Sequence, residues 1–193
     1  GGPPEGSSAW GAGFEKLQVR ADLLYAMEWF VLAHEYGHHV ANHARAESSA
    51  AATGTIEEEL SADIFARAVC MRLGHERQPQ NFFAMAGVGA VAVLGTLELV
   101  ARCRAIIQGG AAKPEPLRSH PPFEERINSI AQLDTNAPSD WQEAFIDSRR
   151  CFTAILEGLW SMLRPGYEKL HAEGVRVASG LNEFDRSARR FVA

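Results

Sequence analysis

Cysteine is scarce in this sequence. The chain of 193 residues has three, Cys70, Cys103 and Cys151, and no two of them form a C-x-x-C pair. An odd number at wide spacing argues against a disulfide framework. We therefore expect small core residues in a reducing compartment, and hence a cytoplasmic location.

Positive charge is also in short supply. The formal net charge is -5, and the basic residues are scattered along the chain rather than clustered. A nucleic-acid partner is therefore not expected, because phosphate binding favours a concentrated basic surface. Strand signals are almost absent, whereas apolar residues recur at helical spacing, so the sequence predicts a mainly α fold with little or no β-sheet.

No apolar run reaches the length of about 20 residues that a membrane span needs. The uncharged part of the most apolar segment, Phe82 to Leu97, has sixteen residues and is followed by Glu98 and Arg102. Two interpretations of residues 82–107 remain: a helix buried in the core or at an oligomer contact, and a membrane-associated segment. The two charges favour the buried helix.

Composition divides the chain into three parts. Residues 1–13 are rich in Gly, Pro and Ser, which indicates a flexible linker or a trimmed terminus. Residues 14–135 contain every motif discussed below and are predicted to form one domain. Residues 136–193 are predicted to be a helical extension packed on that domain.

The sequence predicts several helices, and glycine and proline residues set some of their predicted ends. We expect a break at Pro165-Gly166 and a helix end at Gly74, because these residues commonly end helices. Loops are predicted over 48–55, 108–116 and 134–139. Residues 14–46 are predicted to form one long helix or two abutting ones, and further helices are predicted at 56–73, 119–133 and 140–163.

The stretch "HEYGH" fits the pattern H-E-x-x-H. Residues four apart share a helix face, so His34 and His38 can bind one zinc ion through their imidazole nitrogens. Glu35 lies beside them and could act as general base on a water molecule. The motif is short and occurs by chance, so a third ligand is needed to support it.

Two positions were considered for that ligand. The metzincin pattern would need glycine and histidine at positions occupied by Ala41 and Ala44, so it fails. The alternative is Glu59 in "EEELSADIFA", with Asp63 one turn later accepting a hydrogen bond from His34. An exposed acidic first turn is the other explanation, and it suits Glu57 and Glu58 better than Glu59. The remaining histidines of the stretch, His39 and His43, are expected to lie outside the metal face.

These motifs resemble the gluzincin zinc metallopeptidases, and most closely the CAAX-prenyl-protease/HtpX-like family. The similarity rests on H-E-x-x-H, E-x-x-A-D and the later "SHPPFEERINSI", in that order. It implies a zincin-like helical core in which His34, His38 and Glu59 bind zinc and Glu35 is the base for hydrolysis of peptide or protein substrates. It further implies that His120 lies near the site, where it would stabilise the oxyanion or contact the substrate. Arg126 would brace the site by pairing with an acid, or have a structural role.

One feature departs from that family. A small sheet usually precedes the H-E-x-x-H helix and aligns the substrate, but the residues before His34 are not strand-like. Three explanations remain: the chain is a fragment, the sheet is absent, or another segment supplies it. The leading hypothesis is a zinc endopeptidase, and the alternative is a catalytically silent zinc scaffold with a binding or regulatory role.

Overall fold

The computed structural model describes residues 7–46, 55–111 and 121–176, and these ranges contain helices but no strand. The prediction of a mainly α chain is therefore confirmed for these ranges. The helices are α1 (Ser7–Ala46), α2 (Ile56–Glu76), α3 (Phe82–Ala86), α4 (Val88–Gly109), α5 (Phe123–Ala131), a 3-10 helix (Gln132–Asn136) and α6 (Ser139–Ala172).

The chain forms two compact units. The first comprises residues 1–95 and 116–155, and the second comprises 96–115 and 156–193. All described candidate site residues belong to the first unit. Its main core cluster is formed by small and apolar residues of α1, α2, α3, α4 and α5: Ala26, Phe30, Ala33, Ala66, Cys70, Ala84, Ala90, Leu94 and Ile130.

The second unit has a smaller apolar cluster. Leu99, Cys103 and Ile106 of α4 pack with Trp160 of α6. On its surface, Arg102 donates hydrogen bonds to Glu98 and Glu157. The expected boundaries at residues 13 and 135 stay a prediction.

Two glycines allow helices of the first unit to approach closely. A Cβ at Gly37 of α1 would lie 3.2 Å from Cα of Ala62 in α2. A Cβ at Gly89 of α4 would lie 2.4 Å from the backbone of Ala26 in α1, which real contacts do not permit. Larger side chains would separate these helices, so the backbone spacing depends on glycine.

The α2 helix begins at Ile56 as predicted but ends later than predicted. At the start, Thr55 and Glu58 form a reciprocal capping box, so the acidic first turn includes a residue that fixes the helix N-terminus. At the other end, the helix continues through Gly74 to Glu76. Gly74 is buried, and a Cβ there would lie 2.8 Å from the carbonyl oxygen of Asn81. The glycine therefore serves packing rather than helix termination.

The apolar segment 82–107 is divided between α3 and α4. Gly87 separates them with φ of 76°, a left-handed conformation that glycine adopts without strain. Residues 84–92 are buried within the first unit. Among the described helices, none has the length and apolar character required to cross a membrane.

Two further predictions of chain breaks were wrong. Part of the predicted loop 134–139 is the 3-10 helix that ends at Asn136. Pro165 lies inside α6, which continues to Ala172. Pro165 lacks an N–H group and leaves the carbonyl of Ser161 without its usual donor. Both residues are exposed, so water can satisfy that carbonyl at little cost.

Candidate metal centre

Three predicted ligands lie together where α1 crosses α2. His34 and His38 are one turn apart on α1, and their Nε2 atoms are 3.1 Å from each other. Glu59 comes from the first turn of α2. Its carboxylate oxygens lie 3.6 Å from Nε2 of His34 and 3.4 Å from Nε2 of His38. The three side chains therefore direct their donor atoms toward one point.

The spacing is close to what a tetrahedral zinc ion requires. With zinc–ligand bonds of about 2.0–2.1 Å, tetrahedral ligand atoms are about 3.3 Å apart. The two nitrogens are 3.1 Å apart, and the contacts to Glu59 are 3.6 Å from His34 to Oε2 and 3.4 Å from His38 to Oε1. One ligand atom from each of the three residues lies within 4.8 Å of the others. Two histidines and one glutamate would also leave a fourth position open, as catalytic zinc sites do.

Gly37 is the reason that the glutamate reaches the histidines. It occupies the second variable position of H-E-x-x-H, and its missing side chain lets α2 approach α1 at Ala62. Ala62 lies one turn after Glu59 in α2. This role of Gly37 was not predicted from the sequence, although a small residue between two ligands on a buried helix face is a signal of close helix packing.

Asp63 lies behind His34, on the side away from the shared point. Its Oδ1 is 3.0 Å from Nδ1 of His34, and its side chain is fully buried. The N–H direction at Nδ1 is not aligned for a hydrogen bond in this geometry. The contact is nevertheless close enough for the carboxylate to favour the tautomer with the proton on Nδ1, which leaves Nε2 free to bind a metal.

Arg126 of α5 holds Asp63 in place. Its Nε and Nη2 atoms donate to the two carboxylate oxygens of Asp63 at 2.6 and 2.7 Å, a bidentate pair. Nη2 also lies 3.6 Å from Glu59. Burial alone would raise the pKa of Asp63, but the hydrogen bonds from Arg126 and the proximity of His34 outweigh it, and the pKa is lowered. Asp63 therefore stays ionised near neutral pH.

The imidazole of His38 is kept neutral by its surroundings. Burial lowers its pKa, and the neighbouring His34 lowers it further, whereas Glu59 and Glu35 act in the opposite direction. The net effect is a pKa below the usual value. A neutral imidazole is the form that binds a metal ion, so His38 needs little deprotonation before binding.

Glu35 lies on the solvent side of the cluster. It is exposed on α1, and its charge acts on His38. His39 is also exposed, with its ring 6.1 Å from that of Tyr36, and lies outside the shared point. His120 and the side chain of His43 fall outside the described residues. The roles expected of these residues therefore stay predictions.

A second group of buried charges was not predicted. Arg67, Asp134 and Arg149 are almost completely buried in the first unit. Asp134 accepts hydrogen bonds from both guanidinium groups. No sequence signal indicated this group, because its members lie 67 and 15 residues apart. This group contains no metal-ligating cluster, and its residues contribute to the fold.

The arrangement described here is that of a helical protein with a convergent His-His-Glu cluster and a carboxylate beside it. The sequence matches the family described as Peptidase U49 over residues 10–144. That match defines the protein as a peptidase. The chain belongs to the Peptidase U49 family. The matched range contains His34, His38 and Glu59. No curated protein and no solved structure matches the chain.

Proposed function

We propose that this peptidase is a zinc-dependent endopeptidase of the gluzincin type, with a zincin-like helical core. The observation that carries the proposal is the convergence of His34, His38 and Glu59 at tetrahedral spacing. The resemblance of the three motifs to the CAAX-prenyl-protease/HtpX-like family supports the same assignment. Nitrogen and carboxylate ligands in this number suit zinc, which we therefore propose as the cofactor.

The chain supplies the other groups that peptide hydrolysis needs. Zinc, when bound, would polarise the scissile carbonyl and acidify a water molecule. Glu35 would take the proton of the attacking water on its carboxylate and deliver it to the leaving amine. Asp63 and Arg126 would hold His34 and Glu59 in position. His120 remains the predicted second donor to the oxyanion.

The first test is the zinc content of the purified protein. We expect about one zinc per wild-type chain and more than about 100-fold weaker binding in Glu59→Ala, since a ligand contributes more than the 10–100-fold typical of its supporting residues. Glu57→Ala is the matched control, because Glu57 is exposed in the same helical turn. A wild-type protein without zinc affinity, or equal affinity in Glu59→Ala, would refute the proposed site.

Asp63→Asn tests whether Asp63 strengthens zinc binding through its contact with His34. The substitution keeps the shape of the side chain but removes the carboxylate charge that lies 3.0 Å from Nδ1 of His34. We expect the dissociation constant for zinc to rise about 10–100-fold, measured by competition with a chromophoric chelator. Asp140→Asn, at an exposed position in α6, controls for the change in net charge. Unchanged affinity in a folded Asp63→Asn protein would show that His34 does not depend on Asp63.

A further inference from the structure

Apolar side chains on the outer side of α1 form a regular row. Leu17, Leu24 and Val31 are seven residues apart, and their exposed fractions are 64%, 53% and 41%. Residues seven apart on a helix differ by about 20° in direction, so they form one slowly turning line. We call these three residues the heptad row. Other exposed apolar residues of α1, such as Leu32 and Tyr36, lie on a different face, so the heptad row is a separate apolar surface that a partner could cover.

The heptad row leads directly to the candidate metal centre. The next residue at the same spacing is His38, and His34 lies three residues after Val31. Val31 is also four residues before Glu35. Residues three and four apart are neighbours on a helix surface, so Val31 borders both the ligand and the proposed base. The apolar row and the metal centre are therefore continuous parts of one face.

This face differs from the side of α1 that packs in the core. The core side is formed by Ala26, Phe30 and Ala33, which are buried, and by Gly37, which contacts α2. Along the heptad row, exposure falls from Leu17 to Val31 as the row nears the metal centre, where His34 is only 12% exposed. The row thus forms an open approach to an increasingly enclosed site.

We propose that the heptad row binds the substrate of the proposed peptidase, a polypeptide with apolar side chains on one side of the cleaved bond. The inference rests on the proposed function. Along the helix axis, at about 1.5 Å per residue, Val31 lies about 8 Å and Leu24 about 18 Å from the level of the two histidines. An extended chain covers these distances in about two to three and five to six residues. Apolar residues at those positions define the substrate class.

Binding can be measured without turnover. The probe is a fluorescein-labelled peptide with leucine two, three, five and six residues from a central bond, in versions with the leucines on either side, compared with serine at the same positions. The protein is the zinc-saturated Glu35→Gln chain. By fluorescence anisotropy we expect one leucine peptide to bind at least tenfold more tightly than its serine counterpart.

The discrimination should depend on the heptad row. In Leu24→Ser/Val31→Ser, made in the same background, the preference for leucine should fall to within about twofold. The matched control is Leu97→Ser/Met162→Ser, which removes two exposed apolar side chains of the other unit and should keep the preference. Circular dichroism checks the folding of each variant. If a double variant is unfolded, the single variants Leu24→Ser and Val31→Ser replace it. Each single variant should lose part of the preference for leucine peptides.

Several results would overturn the inference. One is equal binding of leucine and serine peptides, and another is a leucine preference that survives in the heptad-row variant. A dimer that the same substitutions dissociate, with no peptide bound, would assign the row to self-association. Failure of the proposed function is a separate result: row-dependent peptide binding, with no cleavage of the same peptides by zinc-saturated wild-type protein, would support the docking surface and contradict the peptidase mechanism.

Discussion

Replacing Glu35 by glutamine is expected to reduce peptide hydrolysis by about 10²–10⁴-fold, the usual contribution of a general base. The amide has nearly the same shape but cannot accept a proton from water. Glu35 is exposed and is not one of the three convergent residues, so the zinc content of the variant should match that of the wild type. The measurement pairs initial rates on a quenched peptide with metal analysis of the same sample.

Glu28→Gln is the matched control for this experiment. Glu28 is exposed on α1, two turns before Glu35, and its loss changes the net charge equally. Its rate should be close to that of the wild type. A Glu35→Gln protein that retains most of its activity would contradict the mechanism. A wild-type protein that binds zinc but cleaves no peptide would instead favour the silent zinc scaffold.

The parts of the candidate site that could be predicted are those that depend on the spacing of residues along one helix. The four-residue interval between His34 and His38 places both on one face of a helix, and Glu59 and Asp63 share the same interval on α2. In the structure these pairs lie against each other, with Nδ1 of His34 3.0 Å from Asp63. Local periodicity also predicted a mainly α chain, which the described residues confirm.

What could not be predicted depends on contacts between distant residues. Arg126 was expected to pair with an acid, but its choice of Asp63 follows from the packing of α5 against α2. Single-residue rules failed at Gly74 and Pro165. At Gly74 a close helix contact needed a small residue, and at Pro165 an exposed helix tolerated the missing N–H group. Tertiary packing decided both positions.

The buried charges of Arg67, Asp134 and Arg149 could not be predicted from the sequence for the same reason. These residues join α2, the 3-10 helix and α6, and the guanidinium groups also donate to the carbonyls of Ala84 and Ala86. Those carbonyls lie in the last turn of α3, where a helix supplies few donors of its own, and the carbonyl of Ala84 also accepts the N–H of Gly87. One carboxylate therefore neutralises one of two buried cations, and carbonyl oxygens stabilise the excess charge.

Arg67 makes longer hydrogen bonds than Arg149 in this group. Its hydrogen bonds to Ala84 and Asp134 are both 3.3 Å long, and its Nε atom has no partner. Burial, together with the charge of Arg149, lowers the pKa of Arg67 to about 10, against the attraction of Asp134. The guanidinium remains charged at neutral pH, so its stability in the core depends on Asp134.

Asp134→Asn is therefore expected to lower the free energy of unfolding by about 3–5 kcal/mol, the usual cost of leaving buried charge uncompensated. Arg149→Met should cost less, because it leaves Arg67 and Asp134 as a neutral pair. Urea unfolding followed by circular dichroism measures both, with Asp140→Asn in exposed α6 as the charge-matched control. If Arg149→Met proved more destabilising than Asp134→Asn, the hydrogen bonds of Arg149, rather than charge balance, would be the dominant contribution of this group.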